Sequence, residues 1–170
     1  MASVDLSELI PNLEGALTVP GTTSPYAAAS EAEWVIKLSN GFWAATLDGV
    51  YSGYSVDEDG IVTPDDGGSS TFSRELQQVV IIWAAVNIVQ AQLLVLKTRF
   101  KAEAGPVSYE TEQASQVLST LLKQLQQQQA VILDRYSDVW SSAEESYYTD
   151  ANFQRRENNY SNQGSYWMGH

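Results

Sequence analysis

An almost uninterrupted apolar stretch over residues 79–96 constrains the fold of this chain more than any other feature. It reads VVIIWAAVNIVQAQLLVL, and 15 of its 18 residues are apolar. This length is close to the minimum for a helix that spans a bilayer. Lipid would penalise the three amide side chains in the stretch, Asn87, Gln90 and Gln92. We therefore expect a helix that other helices surround in a soluble bundle, with no membrane as a partner.

Capping signals and apolar periodicity predict three long helices. The first spans residues 25–48, with Ser24 as its N-cap and a proline at its first position. The second spans residues 74–103 and contains the apolar stretch, with Ser73 as its N-cap. The third begins after a Gly-Pro turn and carries a leucine stripe over residues 109–135.

The other segments complete an all-α fold with two additions. Residues 1–23 hold at most a short N-terminal helix before a loop. Residues 50–68 predict a small β-hairpin or ordered loop, because strand-like residues flank the turn signal Asp59-Gly60. Residues 136–170 lose the helical period and are rich in aromatic side chains. The sequence thus predicts a helical bundle domain over residues 1–135 and an extended C-terminal arm over residues 136–170.

The composition argues against an enzyme. The chain has no cysteine, and its single histidine is His170, so thiol chemistry and histidine-based metal sites are excluded. Neither a phosphate-binding glycine loop nor the calcium-binding spacing of an EF-hand is present. We predict no catalytic residue, no cofactor and no metal site. A hydrolase built on carboxylates alone is the enzymatic alternative.

Negative charge is concentrated in the first part of the chain. The formal net charge is −12, and residues 1–73 carry eleven acidic residues against one base, Lys37. This balance argues against direct binding to nucleic acid or anionic lipid. The acidic part is either a solvated end that aids solubility or a surface that repels a polyanion. The acidic residues predicted to form such a surface are Asp57, Glu58, Asp59, Asp65 and Asp66.

A family resemblance lies where the second helix ends and the third begins. The segment RFKAEAGPVSYETEQASQVL at residues 99–118, followed by Leu121-Leu122-Lys123, places a basic helix end before a Glu-Thr-rich turn and a leucine-striped helix. This pattern resembles the helical core of tailed-phage (siphophage) head-to-tail connector, or adaptor, proteins. The resemblance covers residues 74–135.

The resemblance implies a structural virion protein with defined partners. It implies a homo-oligomeric ring of twelve copies under the portal protein, with a stopper or tail-side neck protein below. Genomic DNA would pass through the channel without specific binding, along the acidic residues. The protein would reside at the head-tail interface of the virion, after assembly in the host cytoplasm. The arm would dock on the portal through Tyr147, Tyr148, Phe153, Arg155, Arg156, Tyr160, Tyr166 and Trp167.

Two further functions fit the same sequence features. Stopper and tail completion proteins of phage necks are also small acidic ring proteins. A small acidic helical binding or regulatory protein, which masks a basic partner, would share the charge and the helices without forming a ring.

Overall fold

The computed structural model describes residues 3–18, 29–65, 72–102, 112 and 114–136. The chain divides into two units, Met1–Ile132 and Leu133–His170. In the second unit the described residues are 133–136, which are helical.

The described residues are mostly helical and include one small sheet, as the sequence predicts in outline. Their elements, in chain order, are β1 (Val4–Asp5), a 3₁₀ helix (Leu6–Leu9), α1 (Ile10–Leu17), α2 (Glu31–Leu47), β2 (Tyr54–Val56), β3 (Ile61–Pro64), α3 (Arg74–Ala102) and α4 (residues 114–136).

The apolar stretch forms the core of the fold, within α3. All residues from Val79 to Val86 are buried, so this part of the helix is covered on every side. The predicted N-cap is confirmed, because the Leu76 amide donates to Ser73 Oγ at 3.3 Å. By length and composition Arg74–Thr98 could cross a membrane. However, 61% of its apolar 18-residue window is buried inside the molecule. The burial is what the sequence predicts for a helix at the centre of a bundle.

Helix α2 packs on α3 at very short range because Gly41 lies at the contact. A Cβ atom added at Gly41 would lie 2.7 Å from the Ala84 amide nitrogen and 2.8 Å from the Val80 carbonyl oxygen. Only a residue without a side chain permits this approach of the two backbones. A second contact joins the helices where α2 ends, since Trp83 Nε1 donates to Asp48 Oδ2 at 2.7 Å.

The predicted start of α2 is wrong, whereas its predicted end is confirmed. Ala29 and Ser30 are not helical, and the helix begins at Glu31. Ser30 and Glu33 form a capping box, in which each side chain accepts from the other residue's amide at 3.3 and 3.0 Å. This reciprocal pair gives two backbone amides a hydrogen-bond acceptor. A serine cap followed by a proline, as at Ser24, does not supply both acceptors. At the other end the helix stops at Leu47, and Gly49 has a φ of 75°, the left-handed conformation in which helices commonly end.

The predicted hairpin is present, but it belongs to a three-stranded sheet. Strands β2 and β3 pair antiparallel around the Asp57–Gly60 turn, and β1 pairs antiparallel with the other edge of β3. The sequence prediction missed β1. Gly60 has a φ of 84°, and a Cβ atom there would lie 2.5 Å from Val35 Cγ1, so the turn packs directly on α2.

An aromatic cluster attaches the segment after α2 to the helices. The rings of Phe42, Tyr51, Tyr54 and Phe72 lie in successive contact, with centroids 5.1–6.4 Å apart. Phe42 and Phe72 are fully buried, and Tyr51 is nearly so. The cluster fixes the sheet against the core and leaves its acidic turn at the surface.

Candidate interaction surfaces

The acidic residues predicted to face a channel lie mainly on exposed turns of the sheet. Asp57, Glu58 and Asp59 form the turn between β2 and β3, and Asp65 follows β3; all four are exposed. Asp66 lies outside the described residues. The structure therefore brings three of the predicted acids together in one turn.

Asp57 differs from its neighbours because its carboxylate builds the turn. Its Oδ1 accepts from the backbone amides of Asp59 and Ile61 at 3.1 and 2.8 Å. This is the common local role of an aspartate at the start of a tight turn. Glu58 and Asp59 are left as the turn's solvent-facing charges.

Other acids of the N-terminal part also hold local structure. Asp5 Oδ1 accepts from the Ser7 amide at 2.8 Å and caps the 3₁₀ helix. Glu33 belongs to the capping box, and Asp48 accepts from the Trp83 indole. The acid-rich composition of this part thus reflects helix and turn chemistry as well as surface charge.

The predicted portal-docking residues lie outside the described residues. This applies to Tyr147, Tyr148, Phe153, Arg155, Arg156, Tyr160, Tyr166 and Trp167. Their role stays a prediction.

Helix α2 carries an exposed apolar stripe that sequence reasoning missed. Ile36, Trp43 and Leu47 are 60%, 46% and 86% exposed. Their spacings of seven and four residues place them on one face of the helix. The opposite face is buried at Trp34, Leu38 and other residues. The sequence does show both stripes, but periodicity alone does not tell which of them the fold covers.

A second exposed apolar patch lies on a different helix, in the C-terminal half of α3. Leu94 and Val95 are 67% and 47% exposed, and Lys97 beside them is also exposed. Charged residues adjoin both surfaces, because Glu33 and Lys37 lie near Ile36 on α2 and Lys97 lies one turn after Leu94 on α3. The two surfaces are therefore apolar at their centres and charged at their edges.

A cavity of about 530 Å³ lies where α1, the first turns of α3 and α4 meet. Its apolar lining includes Leu9, Ile81 and Leu125, all buried. Its polar lining comes from the side chains of Asn12, Arg74, Gln77, Gln78, Gln124 and Gln128. No sequence motif indicates this cavity, because its residues come from three distant segments.

The described residues show little clustering of titratable groups. Among them, no three acidic or histidine side chains lie close enough together to hold a metal ion. Burial raises the pKa of the Tyr51 phenol well above its ordinary value of about 10. The Tyr51 hydroxyl donates to the Phe42 carbonyl at 2.8 Å, inside the aromatic cluster. This environment holds Tyr51 neutral and makes it a structural group.

The arrangement thus offers surfaces for contact with other molecules: two apolar patches on separate helices, an acidic turn and an amide-lined cavity. Comparison of the chain with protein-family models, with curated proteins and with solved structures finds no match.

Proposed function

We propose that this chain is a structural subunit of a phage head-to-tail connector. In this proposal copies form a ring under the portal, the acidic turn faces the DNA channel, and the arm of residues 136–170 docks on the portal. The neighbouring neck roles, stopper and tail completion, use the same subunit properties and are the nearest alternatives.

The exposed apolar stripe on α2 is the observation that carries the proposal. Ile36, Trp43 and Leu47 leave three large apolar side chains in water along one face of α2, where a monomer gains nothing from them. A neighbouring copy that covers the stripe would gain roughly 25 cal/mol for each Å² of apolar area buried. Association of subunits is the simplest use of such a stripe.

The location of the second patch favours a ring over a closed pair. Leu94 and Val95 lie on α3, so a contact between the two surfaces joins unlike faces of two copies. Contacts of this kind continue from copy to copy and close into rings when the rotation permits.

The acidic turn supports a passive role toward DNA. Glu58, Asp59 and Asp65 are exposed, and the chain as a whole carries a charge of −12. Carboxylates repel the phosphate backbone, so DNA would move along such a surface without adhering to it.

The test is the mass of the assembly in solution and on the portal. Leu47→Glu places a charge in the proposed contact, at the C-terminal end of the stripe, and the position is 86% exposed, so folding should be retained. We expect the wild-type chain to form rings at high concentration or on portal particles. The variant should form rings only at a concentration at least tenfold higher, because about 1.4 kcal/mol of lost contact energy corresponds to that factor.

Gln127→Glu is the matched control, since it adds the same charge at an exposed polar position of α4. Light scattering after size exclusion, together with negative-stain micrographs, distinguishes the functions. A wild-type chain that stays monomeric at every concentration, with portal present, contradicts the connector proposal. That result would favour the small acidic binding protein.

A further inference from the structure

We infer that the cavity between α1, α3 and α4 binds a peptide segment of a partner protein through a carboxylate group. The inference does not depend on the connector proposal, because it concerns a different surface. It rests on the charge of the lining, its hydrogen-bonding groups and its apolar floor.

The charge of the lining is unusual for this chain. Among the described residues that line the cavity, Arg74 alone is charged, although the chain has 21 acidic residues and 9 basic ones. Among the described residues no carboxylate pairs with Arg74. The guanidinium is therefore available for an anion, and its planar fork matches a carboxylate in particular.

The amide side chains supply the second element of recognition. Gln78, Gln124 and Gln128 line the cavity, and their side chains make no hydrogen bond to other described residues, whereas Gln77 Nε2 donates to the Phe72 carbonyl at 3.3 Å. Each free amide offers two donors and an acceptor. A peptide backbone presents the complementary donors and acceptors along its length, so a row of amides suits an extended peptide.

The apolar floor supplies the third element. Leu9, Ile81 and Leu125 form the buried base of the cavity, and the partly exposed Leu121 beside them offers apolar surface to an aliphatic side chain. The volume of about 530 Å³ falls in the range of about 300–1,000 Å³ for sites that hold small ligands. One apolar residue next to one carboxylate therefore defines the minimal ligand.

A polyphosphate or nucleic acid fits the cavity less well than a carboxylate. Such ligands need several cations, and this lining holds one. The net charge of −12 would also repel a polyanion from the whole molecule. A ligand with a single carboxylate is repelled much less.

Titration calorimetry of the full-length protein with three short peptides tests the inference. The probes are acetyl-Ala-Leu-Glu-amide, acetyl-Ala-Leu-Ala with a free C-terminal carboxylate, and neutral acetyl-Ala-Leu-Gln-amide. We expect one or both carboxylate peptides to bind at least tenfold more tightly than the neutral peptide, because a charge-assisted hydrogen bond is lost in the latter. The affinities of the first two peptides show whether the cavity prefers a side-chain carboxylate or a C-terminal carboxylate.

Two variants test the location of binding. Arg74→Gln removes the cation at an exposed position and should lower the affinity for the carboxylate peptide about tenfold. Gln78→Glu adds an acid to the lining, also at an exposed position, and should lower the affinity for the same peptide at least as much. Lys123→Gln is the matched control, because it removes an exposed cation from α4 at a position outside the cavity lining. Circular dichroism confirms that each variant is folded.

Three outcomes would overturn the inference. The first is the absence of binding by every peptide at millimolar concentration. The second is equal binding of the neutral and the charged peptides. The third is an equal loss in Arg74→Gln and Lys123→Gln, which would mean that general charge, and not the cavity, attracts the ligand.

Discussion

At the scale of single residues, polar groups inside the fold are few and each has a defined partner. Trp83 is buried with its indole donating to Asp48, and the Tyr51 hydroxyl donates to the Phe42 carbonyl. Such bonds matter because a buried donor without a partner costs about 1–3 kcal/mol. Tyr51 also makes stability depend on pH, because its hydroxyl can lose a proton.

The folded state of this protein should lose stability at alkaline pH through Tyr51. Burial raises the pKa of Tyr51 in the folded state, so the unfolded chain releases the phenolic proton first as pH rises. The stability that Tyr51 contributes is fully present below a pH of about 10, which is the ordinary pKa of tyrosine in an unfolded chain. Above it, stability should fall by up to about 1.4 kcal/mol per pH unit until the folded group also ionises.

Tyr51→Phe separates this effect from the titration of other groups. At pH 7 the variant should be about 1 kcal/mol less stable than the wild type, because the bond to the Phe42 carbonyl is lost. Urea denaturation at pH 7 and pH 11 checks the difference. The difference in unfolding free energy between the two proteins should narrow or reverse at pH 11, because only the wild type has a phenol whose pKa is raised by folding. A constant gap would show that Tyr51 ionises equally in both states.

At the scale of elements, local signals in the sequence predict some structures well and others poorly. Helix α3 was predictable because its apolar run is long and its N-cap Ser73 lies directly before it. The start of α2 was not, because Ser24 with its proline and Ser30 with Glu33 are both valid capping signals. The choice between them depends on packing that one sequence does not reveal.

Strand β1 was missed for a related reason. It has two residues, Val4 and Asp5, whose partners Val62 and Ile61 lie more than fifty positions away. Two residues carry no period, and a distant partner leaves no trace in local sequence. The hairpin of β2 and β3 was predictable because its Asp59-Gly60 turn lies between the paired strands.

The packing of α2 on α3 should depend on Gly41. Gly41→Ala would force a Cβ atom to within 2.8 Å of backbone atoms of α3, which cannot move aside as a side chain can. We expect a loss of about 1–3 kcal/mol in the free energy of unfolding from this overpacking, even though alanine is the better helix former.

Gly15→Ala is the control for this prediction. Gly15 lies within α1, and a Cβ atom added there would contact nothing within 4 Å. The substitution should be neutral or stabilise the protein by up to about 1 kcal/mol through helix propensity. Thermal denaturation of both variants measures the contrast. Equal stability of the two variants would mean that α2 and α3 can separate without cost.

At the scale of the whole molecule, the candidate surfaces are the features that the sequence revealed least. The acidic turn was predictable as charge, but the structural role of Asp57 was not, because that role depends on the fold of the turn. The stripe of Ile36, Trp43 and Leu47 became visible only once the buried face of α2 was known. The cavity joins residues such as Asn12 and Gln128, which tertiary packing alone brings together.

The proposed role of the arm leads to a prediction for the whole subunit. Truncation after Asp138 removes all of the aromatic and arginine residues proposed to bind the portal. We expect the truncated protein to lose attachment to portal particles in co-sedimentation and to keep its helical circular dichroism signal, because it retains every helix that the structure describes. The full-length Arg155→Glu, Arg156→Glu variant is a milder companion test. Attachment retained by the truncated protein would refute the role of the arm.

The pairing of β1 with β3 has a consequence for the way this chain emerges from the ribosome. Both strands, with α1 and α2 between them, precede α3 in the sequence. The sheet can therefore close while the central helix is still being translated. At about 5–20 residues per second, the interval until α3 follows lasts several seconds. During that time the parts of α1 and α2 that pack on α3 stay uncovered, so we expect chaperones to bind nascent chains at this stage.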